Sequence, residues 1–356
     1  MNKIVQMSAA ERAEVFGETA DRKGLADAIV EKDFWVCWVL QQLFSIDSLS
    51  DRLLFKGGTS LSKIFHAINR FSEDIDVAVD YAALGFTGER DPRREQISKT
   101  RRAAILAEMM TVCRQYIGGE FLTALKARCR DILGTGDAWS LNVSEQDPNV
   151  VRFRYPGSGT RGLAYVNPQV VLELGTHAEF VPHDRFTIRS LVSEEFPNLT
   201  PDGDIPVVAL IAKRTFWEKA TILHAEYHRP PEKPLPDRYS RHYYDIAMLA
   251  QSPIRSEALD DMPLLAQVVI HKETFYPSAW ARYNLARPGS FRLLPAKERM
   301  TALERDYRSM GVMIFGEPPA FDTIMETLAA LEREINANDG RVDQAKLENT
   351  NNMIHF

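Results

Sequence analysis

The sequence predicts an α+β, bilobed protein, with an N-terminal lobe that mixes a sheet with helices and a mostly helical C-terminal lobe. Strand-like runs, either alternating or continuously apolar, fall before residue 176. Residues 197–206, rich in Pro, Asp, Asn and Gly, read as a linker. Beyond them apolar residues recur at helical spacing without notable alternation. At 356 residues the chain exceeds one ordinary domain, so two lobes are the natural division. The expected parts are 1–200, 201–340 and a loosely ordered polar tail, 341–356.

Composition narrows the class. Hydrophobic content of 45% and charged content of 26% are those of a soluble globular protein. A net charge of −6 makes the whole molecule no electrostatic magnet for nucleic acid, so RNA contact requires a local basic patch. Cys37, Cys113 and Cys129 lack metal-ligand spacing and suit a reducing cytoplasm. No apolar run reaches membrane-spanning length, and the early Glu11, Arg12 and Glu14 do not read as a signal peptide.

Taken in order, Ser8 and Glu11 form a capping box for a helix over 8–20, broken at Gly24. Residues 25–44 form a more apolar helix interrupted by Glu31-Lys32-Asp33, which reads as a solvated polar turn. Leu53, Leu54 and Phe55 suit a buried strand. Gly57 and Gly58 end it in a tight turn whose amides can approach an anion. Leu61, Ile64, Phe65 and Ile68 then recur at helical spacing, with Thr59 or Ser60 as the cap. A phosphate at that N-terminus would meet free N–H groups and a positive dipole end.

Next, Ile75, Val77 and Val79 alternate with Asp74 and Asp76, which places both carboxylates on one strand face. The two repel each other unless they hold a divalent cation, and hard oxygen ligands favour Mg²⁺ or Mn²⁺. A loop over 81–92 leads to a helix from Glu95 to about Ile117 and a second helix with Lys126, Arg128 and Arg130. Their basic residues, beginning at Arg93 and Arg94, are either solvated faces or the RNA-contact candidates. Trp139–Val143 and Val150–Tyr155 flank Asp147-Pro-Asn as a hairpin, and Gln169–Leu174 is a further strand carrying Glu173.

In the second lobe, Val207–Lys213 runs into a helix with Glu218-Lys219. Arg241 and Asp245 lie four apart on another helix, spacing that suits an ion pair. Amphipathic helices fill 255–336. The aromatic, basic Trp280–Pro288 segment suits either base stacking or core coverage.

The Gly-Gly turn, helix and Asp-x-Asp strand resemble the DNA polymerase β-type nucleotidyltransferase superfamily. Lys56-Gly-Gly-Thr together with Arg70-Phe-Ser-Glu-Asp-Ile-Asp76 is similar more specifically to the AbiEii/AbiGii toxin family of nucleotidyltransferases. The resemblance extends from Glu31 to about Glu317. It implies a nucleotidyltransferase-fold N-terminal lobe in which Asp74, Asp76 and a third carboxylate, best supplied by Glu173, hold Mg²⁺ or Mn²⁺. Gly57, Gly58, Thr59 and Ser60 would cradle the outer phosphates of an NTP. Lys219 and Arg241 would offset phosphate charge, with Lys213 as the alternative lysine. Asp245 would act in catalysis or position Lys219. The Glu31-Lys32-Asp33 string is typical of the family near the nucleotide site, although Lys32 receives no role. His242 stands where many members carry Asp, which leaves that subsite open.

The implied reaction transfers NMP from an NTP to an acceptor hydroxyl, with release of pyrophosphate. The implied biology is a cytoplasmic toxin of a bacterial toxin–antitoxin or phage-defence locus, paired with a cognate antitoxin. The tRNA 3′ end is the first choice of acceptor. Nucleotidylation of a protein or small molecule is the alternative, as is a non-catalytic NTP-binding regulatory protein.

Overall fold

The computed structural model describes residues 1–72, 74–159 and 168–338; Glu73 of the motif string and the tail 341–356 lie outside them. The chain forms two compact units, Met1–His66 with Phe71–Leu210, and Ala67–Arg70 with the chain from Ile211 onward. The division falls after Leu210 rather than after residue 200, and residues 67–70 join the second unit.

After a single helical turn at Asn2–Val5, the first unit has α1 (Ala9–Lys23), capped as expected: Ser8 Oγ accepts from Glu11 N while Glu11 accepts from Ser8 N. Gly24 ends it in the left-handed region. In α2 (Asp27–Phe44) every residue from Ala28 to Leu40 is buried, the pattern of a helix inside a core.

The strands are β1 (Leu53–Lys56), β2 (Asp74–Val79), β3 (Ser140–Val143), β4 (Val150–Arg154), β5 (Gln169–Gly175), β6 (His183–Ile188) and β7 (Ile205–Leu210), ordered β3-β4-β5-β2-β1-β7-β6. Pairs β1–β7 and β2–β5 are parallel and the others antiparallel. One face buries Phe55, Ile75, Val77, Phe153 and Leu172 with Trp35 and Trp38 of α2. Trp35 stacks on Tyr155 at 5.4 Å between ring centroids and Trp38 on Phe153 at 5.6 Å. On the other face Leu54, Ala78 and Leu210 make a small cluster with Ala178.

Two of these strands lie where the sequence reading places none. β7 takes the last two residues of the predicted linker and the start of the Val207–Lys213 run expected to lead into a helix; Ile205, Val207 and Ala209 bury toward the core, and a short continuously apolar run does not tell strand from buried helix by its period. β6 is an edge strand with His183, Asp184, Arg185 and Thr187 exposed, so it shows no apolar alternation. The helix after the loop starts later than expected. Ser98 caps α4 (Lys99–Tyr116), which continues through a π-turn at Ile117–Phe121 into α5 (Leu122–Leu133).

The second unit is helical, as expected, with α6 (Ala212–Tyr227), α7 (Ser240–Ala250), α8 (Met262–Phe275), α9 (Met300–Met310) and α10 (Phe321–Ala337). α7 packs against α6, α9 and α10. Among the described residues no helix is long and apolar enough to cross a membrane.

A buried histidine staples this unit. His224 Nδ1 accepts from Arg292 N, and Nε2 bonds the Arg282 carbonyl at 3.1 Å, so the neutral tautomer carries its proton on Nε2. Burial pushes its pKa from 6.5 to about 4, against the raising effect of the Arg282 carbonyl. The folded state therefore resists a proton that the unfolded state accepts. Stability is full above pH 6.5, declines as pH falls, and levels off below about 4. At 1.36 kcal/mol per pH unit, denaturant melts should lose about 2 kcal/mol between pH 6.5 and 5 from this group. A flat profile over that range counts against the assignment.

Candidate active site

β2 places its residues as the alternation requires. Ile75, Val77 and Val79 are buried, while Asp74 and Asp76 are half-exposed on the opposite face. In register with Asp76 stand Lys56 on β1 and Glu173 on β5. Direct pairs share a face, so Glu173, which is exposed, lies beside Asp76. Among the described residues no three His, Cys, Asp or Glu side chains gather into a group able to hold a metal. Glu173 is thus next to the aspartate pair without closing a three-carboxylate set.

The glycine turn meets this face. The helix α3 (Gly57–Lys63) begins at Gly57, whose φ is +81°, and ends at Lys63, so Ile64, Phe65 and Ile68, expected within the helix, lie beyond its end. Its N-cap is Lys56, with no side-chain cap, which corrects the capping role expected of Thr59 or Ser60. Both hydroxyls turn inward instead. Thr59 Oγ1 donates to the Asp74 carbonyl at 2.5 Å, tying α3 to β2, and Ser60 Oγ donates to the Gly57 carbonyl at 2.9 Å.

Gly57 has no room for a side chain. An added Cβ would lie 2.6 Å from Asp76 Cγ and 2.9 Å from Asp76 Cβ, and closer still to Oδ2. Gly57→Ala would have to displace the Asp76 carboxylate or the turn. We expect a loss of about 1–3 kcal/mol from the left-handed backbone and about a hundredfold lower transfer activity from the shift. Melting curves and single-turnover rates check this, and a near-normal rate would contradict it.

The Glu31-Lys32-Asp33 string is not solvated; all three are buried. Glu31 Oε1 accepts from Ser158 N at 2.7 Å, and Asp33 Oδ2 accepts from Leu191 N at 2.7 Å. Asp33 also pairs with Lys63, the last residue of α3, which donates to the Arg189 carbonyl. These long-range bonds satisfy the two buried acids, and local polarity gives no hint of them.

In the second unit Asp245 is fully buried and takes its partners from outside its own helix. Arg70 grips it bidentately, Nε to Oδ1 at 2.7 Å and an Nη to Oδ2 at 2.9 Å, and Lys219 Nζ lies 2.9 Å from Oδ2. Burial alone would raise the Asp245 pKa, but Arg70 and Lys219 overcome it and hold the carboxyl well below the usual range. Arg241 makes no ion pair with Asp245 or any other described residue, so the expected four-apart pair does not form. Glu218 pairs with Arg214 and Lys213 with Asp261. His242 is held well below its ordinary pKa by burial and by Lys219 and Arg241, and its buried Nδ1 has no hydrogen-bond partner among the described residues. The sequence shows Arg70 only as part of the motif string; its anchoring role depends on a partner 175 positions away.

Much of the basic stretch at 90–130 is committed within the fold. Arg90 pairs with Glu108, and Arg93 with Asp91 and Glu179. Arg102 donates to the Pro92 and Arg94 carbonyls, and Arg128 to Gln42. Trp280 is covered by Arg229 and Lys233.

Among solved structures the chain is similar to MenT4, a nucleotidyltransferase toxin from Mycobacterium tuberculosis, with 16% identity over 94% of this chain and 92% of that one and a TM-score of 0.48. It is also similar to JHP933 from Helicobacter pylori, with 14% identity over 84% and 93% of the two chains and a TM-score of 0.30. No curated protein sequence matches. The model of the nucleotidyl transferase AbiEii toxin family of type IV toxin–antitoxin systems matches residues 38–327, and the chain belongs to that family of nucleotidyltransferases.

Proposed function

We propose that this toxin transfers NMP from an NTP to the 3′-terminal hydroxyl of tRNA, with Asp74 and Asp76 as the acidic centre. The observation that supports this most is the abutment of the Asp76 carboxylate on the bare backbone of Gly57, which leaves two carboxylates and a side-chain-free turn side by side. The donors fit Mg²⁺ or Mn²⁺: carboxylate oxygens from alternate residues of one strand face, with Glu173 in register beside them. A bound Mg²⁺ would polarise the α-phosphate and neutralise the triphosphate.

The chain's own groups divide the remaining work. The Gly57-Gly58 turn receives the outer phosphates through backbone amides, because Thr59 and Ser60 have their hydroxyls committed elsewhere. Asp76 or Glu173 accepts the proton of the attacking hydroxyl. Lys219 and Arg241 are assigned to phosphate charge, and Asp245 to holding Lys219. The acceptor oxygen bonds to the α-phosphorus as the bond to the β-phosphate bridging oxygen breaks, and pyrophosphate departs. The family places a cognate antitoxin opposite the toxin.

Purified protein, α-labelled NTPs, Mg²⁺, tRNA and a cell-protein fraction test the reading. Label should enter tRNA with release of pyrophosphate, and induced expression should arrest growth with extended tRNA 3′ ends. Label confined to protein or a small molecule would replace the acceptor, and NTP binding without pyrophosphate release would indicate a non-catalytic protein.

A further inference from the structure

Across the sheet, the acidic face continues into a basic one. Arg152 of β4 pairs with Val171 of β5, which pairs with Asp74 of β2. Arg154 pairs with Gln169 on one side and Ser140 on the other. Direct pairs share a face, so both arginines stand on the face of Asp74, Asp76 and Glu173. Arg152 lies two strands from Asp74, about 10 Å at the usual strand spacing.

The pleat forces β4 to send alternate residues to this face, because Val151 and Phe153 fill the core on the other. Packing does not dictate that both outward residues be arginine. Neither has an acidic partner among the described residues. Arg152 Nε donates to Ser144 Oγ at 3.4 Å, and the Arg154 guanidinium donates to the Asp137 and Ala138 carbonyls at 2.6 and 3.4 Å. Neutral acceptors orient the two groups and leave their charge uncompensated, with further N–H donors available on each fork. Most of the arginines before α4 are instead spent on carboxylates and carbonyls of the fold.

We infer that Arg152 and Arg154 form a phosphodiester-binding rail that brings the RNA acceptor to the aspartate pair; this rests on the nucleotidyl-transfer reading above. A chain of regularly spaced negative charges ending in a hydroxyl matches a face that is cationic on β4 and acidic on β2 and β5. A cationic small-molecule acceptor would be repelled by the same two groups.

The test uses the full chain with both arginines changed, R152Q/R154Q, and total tRNA as the probe. With two phosphate contacts removed, KM for tRNA should rise at least about tenfold and the log–log salt slope of binding should shrink by about 1.4. Magnesium–NTP binding, melting temperature and kcat at saturating tRNA should stay at wild-type values. The R152K/R154K variant should retain most of the tRNA affinity through its charge. A wild-type KM and salt slope in R152Q/R154Q, while transfer to tRNA proceeds, overturns the rail and leaves the reaction standing. So does a wild type that labels protein and not tRNA. A wild type that neither binds magnesium–NTP nor releases pyrophosphate sinks the reaction itself.

Discussion

Asp76→Ala is expected to remove nucleotidyl transfer and leave the protein folded. Asp76 is half-exposed, and the core-facing residues of its strand, Ile75 and Val77, do not depend on it. Losing a half-exposed carboxylate strands no buried charge, and alanine on a strand surface costs at most about 1 kcal/mol. The chemical loss is far larger. A group that holds the charge-stabilising cation supplies several kcal/mol in the transition state, and about 4 kcal/mol is about a thousandfold in rate. Asp76→Asn separates charge from shape: it keeps the size of the side chain against Gly57 and should be nearly as inactive. Single-turnover transfer from α-labelled NTP gives the rates, and thermal melts give the stability. Wild-type turnover in either variant would remove Asp76 from the site. Loss of activity together with a collapsed melting temperature would mean that the carboxylate is structural.

The centre of this site was readable because its signals are local. The alternation around Asp74 and Asp76 fixes which residues face the core, and period two admits no other arrangement once Ile75, Val77 and Val79 are buried. The Ser8–Glu11 box and the Asp147-Pro-Asn turn are similarly self-contained, each within four residues. The errors lie where distant partners decide. Glu31-Lys32-Asp33 has the local character of a solvated turn, yet Ser158, Leu191 and Lys63 bond its two acids inside the core. Arg241 and Asp245 have ideal helical spacing, but Arg70 and Lys219 take the aspartate. β6 escaped because an edge strand with charged residues outward loses the alternation that identifies a strand. Thr59 and Ser60 have the chemistry of caps, and only the approach of β2 shows that a strand carbonyl claims Thr59.

Asp245→Ala should be the most destabilising single change in the second unit, and its comparison with Lys219→Ala isolates the cause. The buried group holds two cations, Arg70 and Lys219, on one carboxylate. Removing Lys219 leaves a neutral, bidentate Arg70–Asp245 pair with good geometry, which the interior tolerates. Removing Asp245 leaves two cations facing each other with no counter-charge, where Arg70 is almost wholly buried. Breaking a buried pair in this way costs about 3–5 kcal/mol, a large fraction of an ordinary domain's stability. Lys219→Ala should therefore melt near wild type while losing transfer activity, and Asp245→Ala should melt far lower. Because the Asp245 carboxyl is held below its ordinary value of 3.8, its contribution is complete above that pH and fades only as pH falls through the lower folded value. The gap between the two variants should thus stay constant from pH 8 to 5, whereas the His224 contribution declines over the acid half of that range. Equal destabilisation by the two variants would show that Lys219, rather than Asp245, is the structural keystone. A wild-type melt for Asp245→Ala would mean that Arg70 finds another counter-charge, and the carboxylate would then be free for chemistry.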